Sequence, residues 1–274
     1  MSATLERHNY LIGTSGYSYT EWIEAGVYPR GTKTGKMLPL YAQRFPAAEL
    51  NFTWYQMPTA ETIERQQRQA PEEFQFAAKL TRSLTHEVDP QVWREQATKY
   101  RDGIAPLLQS RQLAAVLAQF PPGFDRSLSH RRYLADLLGS LEGLPLAVEF
   151  RNDSWVNDRV FADLERRRVS LVTVDAPNLP GLFPALDVVT NPELLYARFH
   201  GRNAKGWRSG NMQQQFDYDY SDEELEGWVM EKLAKMAERA RRGVIFFNNH
   251  VRGQAPKNAR RLAELIEQAG LAGG

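Results

Sequence analysis

The chain contains no cysteine. Disulfides, thiolate nucleophiles, Cys-ligated zinc and iron–sulfur clusters are therefore excluded, and any metal would have to be held by histidine and carboxylates. Histidine is itself scarce: His8, His86, His130, His200 and His250 are the whole set. A formal net charge of +1 removes the blanket electrostatic signal of a polyanion-coated protein, although a local basic patch is compatible with it. No apolar run approaches the roughly eighteen residues of a membrane-spanning helix, and Met1–His8 lacks the apolar core of a signal peptide. These absences together predict a cytoplasmic protein without a membrane partner.

What is present is a long chain with ample apolar content, 274 residues of which 42% are hydrophobic. That length exceeds an ordinary domain but is normal for a barrel of alternating strands and helices. Short apolar runs occur at Tyr10–Ser15, Ala48–Trp54, Phe74–Leu80, Leu113–Phe120, Leu146–Arg151, Ser170–Asp175, Leu195–His200 and Val244–Asn249, and most are separated by segments of helical period. Asp89-Pro90 predicts a helix start. Ser221 with Glu224 forms a capping box ahead of an apolar face at Leu225, Trp228, Val229, Leu233, Met236 and Ala237. Arg239, Arg241 and Arg242 then suit the negative end of that helix, before Gly243.

No linker divides the chain, so residues 1–274 are expected to form one α/β domain, a (β/α)8 TIM-type barrel. The sixth crossover, Ala176–Glu193, is the exception. Its prolines, Pro177, Pro180, Pro184 and Pro192, leave little room for a regular helix, and that unit is expected to be irregular. A doubly wound open sheet is the alternative fold.

The functional signal lies in how the apolar runs end. In Leu146–Trp155, alternation puts Leu146, Val148 and Phe150 on one face and Glu149 with Arg151 on the other. Charges taken out of water are destabilising by several kcal/mol unless paired or used. The same sorting places Glu49, Asn51 and Thr53 together on the second run, Ala77 and Lys79 on the third, and Leu117 and Gln119 on the fourth. Thr173 and Asp175 end the sixth run, Arg198 and His200 the seventh, and Asn248 and Asn249 the eighth. A parallel barrel brings such ends to one mouth, where active sites of this architecture lie.

The inferred inventory is Glu49, Glu149 and Asp175 as carboxylates, Lys79, Arg151 and Arg198 as cations, His200 as imidazole, and several amides. It suits acid–base chemistry on a bound anion. A single pair, such as Glu49 with Lys79, reads equally well as a structural ion pair, and Asp175 before Ala-Pro could simply bond loop amides. The loops His200–Gly210 and His250–Asn258 are rich in glycine and cations, in the positions where such barrels often hold phosphate. Arg202 and Arg252, nearest the strands, are the candidates there, whereas Lys205 and Arg208 read better as a solvated loop. Tyr17, Tyr19, Trp22, Trp54, Tyr55, Trp155 and Trp207 crowd the same rim, where aromatics stack rings or anchor loops. The runs His130-Arg131-Arg132 and Arg166-Arg167-Arg168 read as solvated helix faces, and Leu271–Gly274 as a frayed tail.

Several of these segments together resemble the YecE-like family, a domain of unknown function (DUF72). The matching pieces are Gly13-Thr14-Ser15-Gly16-Tyr17, Glu49–Tyr55, Phe76-Ala77-Ala78-Lys79 with Thr85-His86, Gln119-Phe120-Pro121-Pro122, Glu149-Phe150-Arg151, Arg198-Phe199-His200-Gly201 and Phe247-Asn248-Asn249-His250. They run from about Tyr10 to Arg260, and Phe52 departs from a pattern that expects a small polar residue there. The resemblance implies a barrel of unsettled activity, similar in architecture to the sugar-isomerase and apurinic-endonuclease group. That likeness is one of fold and carries little about chemistry. A multinuclear zinc site of the endonuclease kind needs more histidines than His86, His200 and His250 supply near the mouth. Glu49, Glu149, Asp175 and His200 could hold one divalent ion, but Lys79, Arg151 and Arg198 oppose it, so neither a tightly held metal nor another cofactor is expected.

The leading expectation is an enzyme-like barrel that binds a small phosphorylated or otherwise anionic ligand, a nucleotide or nucleic-acid end included. In it Lys79, Arg151 and Arg198 hold the anion, Glu149 or Asp175 is the base, His200 carries a proton, and Glu49 completes the catalytic set. Asn51, Gln119, Arg202, Asn248, Asn249 and Arg252 line the ligand, and phosphoester hydrolysis ranks first. An isomerase or lyase acting on a sugar acid and a non-catalytic nucleic-acid binder are the alternatives. Oligomeric state is left open.

Overall fold

The computed structural model describes residues 9–271; His8 and, of the expected frayed tail Leu271–Gly274, residues 272–274 lie outside them, while Leu271 is not frayed, its amide donating to Ile266 O at 3.0 Å. Strands β1 (Asn9–Ser15), β2 (Ala47–Leu50), β3 (Gln75–Lys79), β4 (Leu113–Gln119), β5 (Leu146–Glu149), β6 (Ser170–Leu171), β7 (Thr173–Asp175), β8 (Leu195–Phe199) and β9 (Arg242–Phe247) make one sheet. All the strand pairings are parallel, in the order β6-β5-β4-β3-β2-β1-β9-β8-β7. The outermost members, β6 and β7, are adjacent pieces of the single run Ser170–Asp175, interrupted at Val172. Since β6 pairs with β5 and β7 with β8, that run draws the two edges together and nearly closes the sheet into a TIM-type barrel. The seam is stitched by the Val172 amide, which donates to Val148 O at 2.9 Å, and by Ser170 Oγ, which donates to Leu194 O at 2.7 Å.

Helices α1 (Met37–Ala42), α2 (Ala60–Gln67), α3 (Trp93–Gln109), α4 (Leu128–Ser140), α5 (Asp158–Arg166), α6 (Asp222–Trp228) and α7 (Gln254–Gln268) flank the sheet. Ser221 and Glu224 form the expected capping box at the start of α6. Leu225, Trp228, Val229, Leu233, Met236 and Ala237, through the π-helical turn Val229–Leu233 that follows, are all buried. The proline-rich crossover between β7 and β8 carries no helix, so its backbone is not held by a regular ladder.

Three local expectations shift. The run Ala48–Trp54 stops being a strand at Leu50, and Phe52–Tyr55 turns into a short helix. Asp89 accepts from the Gln91 amide at 2.8 Å, but α3 starts only at Trp93. The helical segment after α6 ends at Ala237, and Arg242 opens β9 instead of closing a helix. Alternation had located the apolar faces; where a segment leaves the sheet depends on tertiary packing that alternation does not encode.

Candidate functional site at the barrel mouth

The lumen is built on small residues. Ala77, Ala115 and Ala147 share the inward-facing registers of β3, β4 and β5, leaving space that long side chains from β8 fill. Arg198 crosses that space. Its Nη2 donates to Glu49 Oε1 on β2 at 2.7 Å, and its Nη1 donates to Glu149 Oε2 on β5, also at 2.7 Å. One guanidinium thus ties opposite walls of the barrel, with 1% of its side chain exposed and none of either carboxylate.

Of the two remaining carboxylate oxygens, Glu49 Oε2 is hydrogen-bonded and Glu149 Oε1 is met by ion-pair contacts alone. Tyr196, two residues before Arg198 on the same face, donates its hydroxyl to Glu49 Oε2 at 2.7 Å. Ser15 at the end of β1 donates to Glu49 Oε1 and accepts from Arg198 Nη2 at 3.0 Å. Glu149 Oε1 lies 2.6 Å from Arg151 Nε and 3.2 Å from His200 Nε2. His200 also meets Arg151 Nη2 at 3.1 Å and, through Nδ1, Asn248 Nδ2 at 3.1 Å. Buried charges survive only when paired and hydrogen-bonded in this way.

Electrostatics follow from the pairing. Burial alone would push the Glu149 carboxyl up, but Arg151, Arg198 and His200 outweigh it and hold the group well below the usual carboxylate range. Burial, reinforced by Arg151, lowers His200 to about 3, so the ring is neutral near pH 7. The Arg198 guanidinium is raised, since Glu149 and Glu49 overcome its desolvation.

Beside this floor lie Lys79 and Asn51, half-buried, and Arg151, Gln119 and Asn248, buried. Lys79, at the end of β3, is half-buried with its Nζ 5.2 Å from the centre of the Trp54 ring. No carboxylate lies within ion-pairing distance of it among the described residues, so the Glu49–Lys79 pair that the sequence allowed is replaced by Glu49–Arg198. Desolvation, helped by Arg198, lowers Lys79 to about 7. Surface area makes Lys79 partly accessible while desolvation dominates its titration; both follow from an amine recessed below the rim. Arg151 sits under the Trp207 ring, 5.0 Å from its centre. Asn51, Gln119 and Asn248 belong to the same set. Asn51 Nδ2 donates to Ser15 Oγ at 3.1 Å, and Gln119 Nε2 donates to the Phe120 carbonyl at 2.8 Å. Three buried donors, Arg151 Nε, Arg198 Nε and Trp207 Nε1, make no hydrogen bond among the described residues; Arg151 Nε has only its ion-pair contact with Glu149 Oε1, and Arg198 Nε and Trp207 Nε1 have no acceptor at all.

Not every expected residue joins this group. Asp175 is in register with Phe199, whose ring packs on Trp228 outside the barrel. There Asp175 accepts from Tyr220 Oη at 2.7 Å, from Arg202 Nη2 at 2.6 Å and from Trp228 Nε1. The register pairs Ser170 with Ala147 and Val174 with Arg198 on the inner face, so plain alternation turns Thr173 and Asp175 outward and sets Asp175 and Arg202 against α6 rather than in the lumen. Arg202 also reaches Glu224 at 3.0 Å. Gly201 makes that turn possible with a φ of +85°, and a Cβ there would stand 2.5 Å from Tyr218 Cβ.

Asn249 points opposite to Asn248, donating to Tyr218 O and Asn258 Oδ1. Arg252 is exposed and paired with Asp217 at 2.6 Å. Thr53 caps its own turn and the Lys79 carbonyl. Ser15 and Tyr196 are the members that the strand-end search missed, although alternation puts Tyr196 on the Arg198 face. Among the aromatics, Trp22 and Trp155 anchor loops through their indole N–H groups, whereas Trp54 and Trp207 cover Lys79 and Arg151. No group of three or more His, Asp or Glu residues poised for a metal occurs among the described residues.

A nearly closed parallel barrel whose strand ends carry a buried Glu–Arg–Glu bridge beside cationic and amide side chains defines the class of protein. The family described as "Protein of unknown function DUF72" matches residues 11–272, and the chain belongs to that family. It is 30% identical to the UPF0759 protein YunF of Bacillus subtilis (strain 168), over 95% of this chain and 96% of that protein. Crystal structures of two DUF72 family proteins are similar to it. The one from Thermotoga maritima MSB8 is 34% identical with a TM-score of 0.85, covering 95% of this chain and 100% of that one. The one from Enterococcus faecalis V583 is 28% identical with a TM-score of 0.84, covering 94% and 95%. Among the described residues no helix is long and apolar enough to cross a membrane.

Proposed function

We propose that the barrel mouth is an enzyme site that binds a phosphorylated or otherwise anionic small molecule, and that the reaction is cleavage of a phosphoester. The observation that carries this reading is a surplus of positive charge and unmatched donors. Glu49 and Glu149 are balanced by Arg151 and Arg198, which leaves Lys79 as an additional cation with no carboxylate partner among the described residues. Arg198 Nε and Trp207 Nε1 add donors without acceptors. An oxyanion would neutralise the first and satisfy such donors.

Arg151 and the amides of Asn51, Gln119 and Asn248 line the ligand. Glu149, clamped by two arginines, orients Arg151 and His200 rather than taking a proton. Lys79, lowered to about 7, is the group whose protonation changes near neutrality and is the proton-transfer residue. Asp175, Arg202, Asn249 and Arg252 support the mouth from outside. A nucleotide or a nucleic-acid end fits the same description, since Trp54 and Trp207 offer ring faces beside the cations.

The test pairs binding with turnover. Sulfate keeps its charge between about pH 6 and 9, so any pH dependence of its affinity reports the protein. The charged form of Lys79 is present below about 7, and affinity is expected to fall as pH rises through that value. Lys79→Met should abolish this dependence and weaken binding about tenfold or more. Aryl phosphate mono- and diesters should be cleaved by the wild type and not by Lys79→Met. Sulfate affinity that is flat with pH and unchanged in the variant would remove the reading.

A further inference from the structure

Lys79 differs from every other lysine of the chain in its surroundings. Lys99 and Lys257 are paired with Glu95 and Asp219 at 2.6 Å, and Lys232 approaches the Ala185 carbonyl at 3.4 Å. Lys33, Lys36, Lys205 and Lys235 are exposed. Lys232 also lies over an indole, Trp228, at 5.7 Å, but outside the barrel; Lys79 is the one held at a strand end, with its amine against the Trp54 face and no acceptor to hydrogen-bond it among the described residues. Its backbone is fixed from two sides, because its carbonyl accepts from Thr53 Oγ1 at 2.6 Å and from Tyr100 Oη at 3.1 Å. The side chain therefore starts from a rigid point, as a covalent catalyst requires. Facing it are Arg198 and Arg151, which disfavour its ammonium, Glu49 and Glu149, which favour it, and His86 on the Trp54 side.

We infer that Lys79 is a nucleophilic amine that forms an imine with a small aldehyde or ketone bearing a carboxylate or phosphate group. The inference rests on the anion-binding reading for the position of the charged end of the ligand, which Arg151 and the rim amides would hold. It adds a covalent step to that reading. The amine nitrogen attacks the carbonyl carbon, a carbon–nitrogen bond forms, and the carbonyl oxygen leaves as water with both amine hydrogens. Protonation of the imine then restores one positive charge beside the indole face, where a cation is already accommodated. At pH 7 an amine titrating at about 7 is half neutral, whereas an ordinary lysine near 10.4 is neutral only to a few parts in ten thousand. That difference alone favours Lys79 over surface lysines by about 10³-fold in reactive amine.

The probes are pyruvate, glycolaldehyde phosphate and acetone, each with cyanoborohydride at pH 7, followed by peptide mapping of the adduct and repeated with excess sulfate. Reduced adduct on Lys79 at least about a hundredfold above any other lysine, greater with the two anionic probes than with acetone and suppressed by sulfate, is expected. Lys79→Arg keeps the charge and should give no such adduct. Selective labelling of Lys79 that is equal for acetone and indifferent to sulfate would uphold the nucleophile and overturn the anion-binding reading. Labelling spread evenly over the lysines, or none at Lys79 while sulfate still binds, would overturn the nucleophile and leave anion binding standing.

Discussion

Replacing Arg198 by methionine keeps much of the side-chain volume while removing the one group that bridges Glu49 and Glu149. Each carboxylate loses a 2.7 Å charged hydrogen bond, Ser15 Oγ loses a donor at 3.0 Å, and neither carboxylate has any exposed surface through which water could compensate. Removing one partner of a buried ion pair destabilises by about 3–5 kcal/mol, because the remaining charge stays desolvated. Tyr196 still serves Glu49 and Arg151 still serves Glu149, which keeps the expected loss within that range despite two pairs being broken.

The pH dependence has a definite sign. In the wild type the folded-state value of Glu149 lies well below its unfolded value near 4.5, so its contribution is fully present above about 4.5 and is lost as pH falls through the depressed value. Without Arg198 the folded-state value moves back up and that contribution shrinks. The gap between wild type and Arg198→Met, measured by urea unfolding, should therefore be widest at pH 7 and narrow below about pH 4.5. A loss under about 1 kcal/mol at pH 7, or a gap that does not change with pH, would refute the view of Arg198 as a charge bridge.

Other perturbations separate the mouth from its supports. Asp175→Asn removes the charge that Arg202, Tyr220 and Trp228 share and should cost about 2–3 kcal/mol in chemical denaturation, discounted for the partial exposure of Arg202, while sulfate affinity by calorimetry stays within about twofold. Loss of sulfate binding in that variant would put Asp175 in the mouth after all. Tyr196→Phe leaves Glu49 Oε2 without its donor and should lower stability by about 1–3 kcal/mol, again read by urea unfolding; a neutral effect would contradict the buried geometry. Dialysis against a chelator should leave Tm unchanged, since a metal held by the native state would add stability. A fall in Tm reversed by zinc or magnesium would show a site that the described residues do not display.

The barrel was readable in the sequence because its evidence is repetitive: each apolar run carries the period of a strand, and most crossovers carry the period of a helix. Four prolines foretold the one crossover without a helix. The floor of the mouth was also readable, since Glu49, Glu149, Arg198 and His200 followed from counting two residues at a time along β2, β5 and β8 and their C-terminal ends. Taking the polar end of a run as its inner face failed at Asp175: counting from Ser170 puts Val172 and Val174 inside, and Asp175 turns toward α6. Nor did counting rank partners. Whether Glu49 meets Lys79 or Arg198 depends on side-chain reach across a lumen left open by alanines, a three-dimensional quantity with no one-dimensional signature. The unpaired state of Lys79 is a consequence of that choice.

Crystals soaked in selenate, whose anomalous scattering locates a sulfate-like anion, probe the mouth most directly. Wild-type crystals should show a peak within hydrogen-bonding reach of Lys79 and Arg151, beneath Trp207, and Lys79→Met crystals should lack it. A wild-type peak confined to the exposed Arg252 loop or to the Asp175–Arg202 pair outside the barrel, with none at the mouth at saturating selenate, would mean that the converged charges serve only to hold the barrel shut.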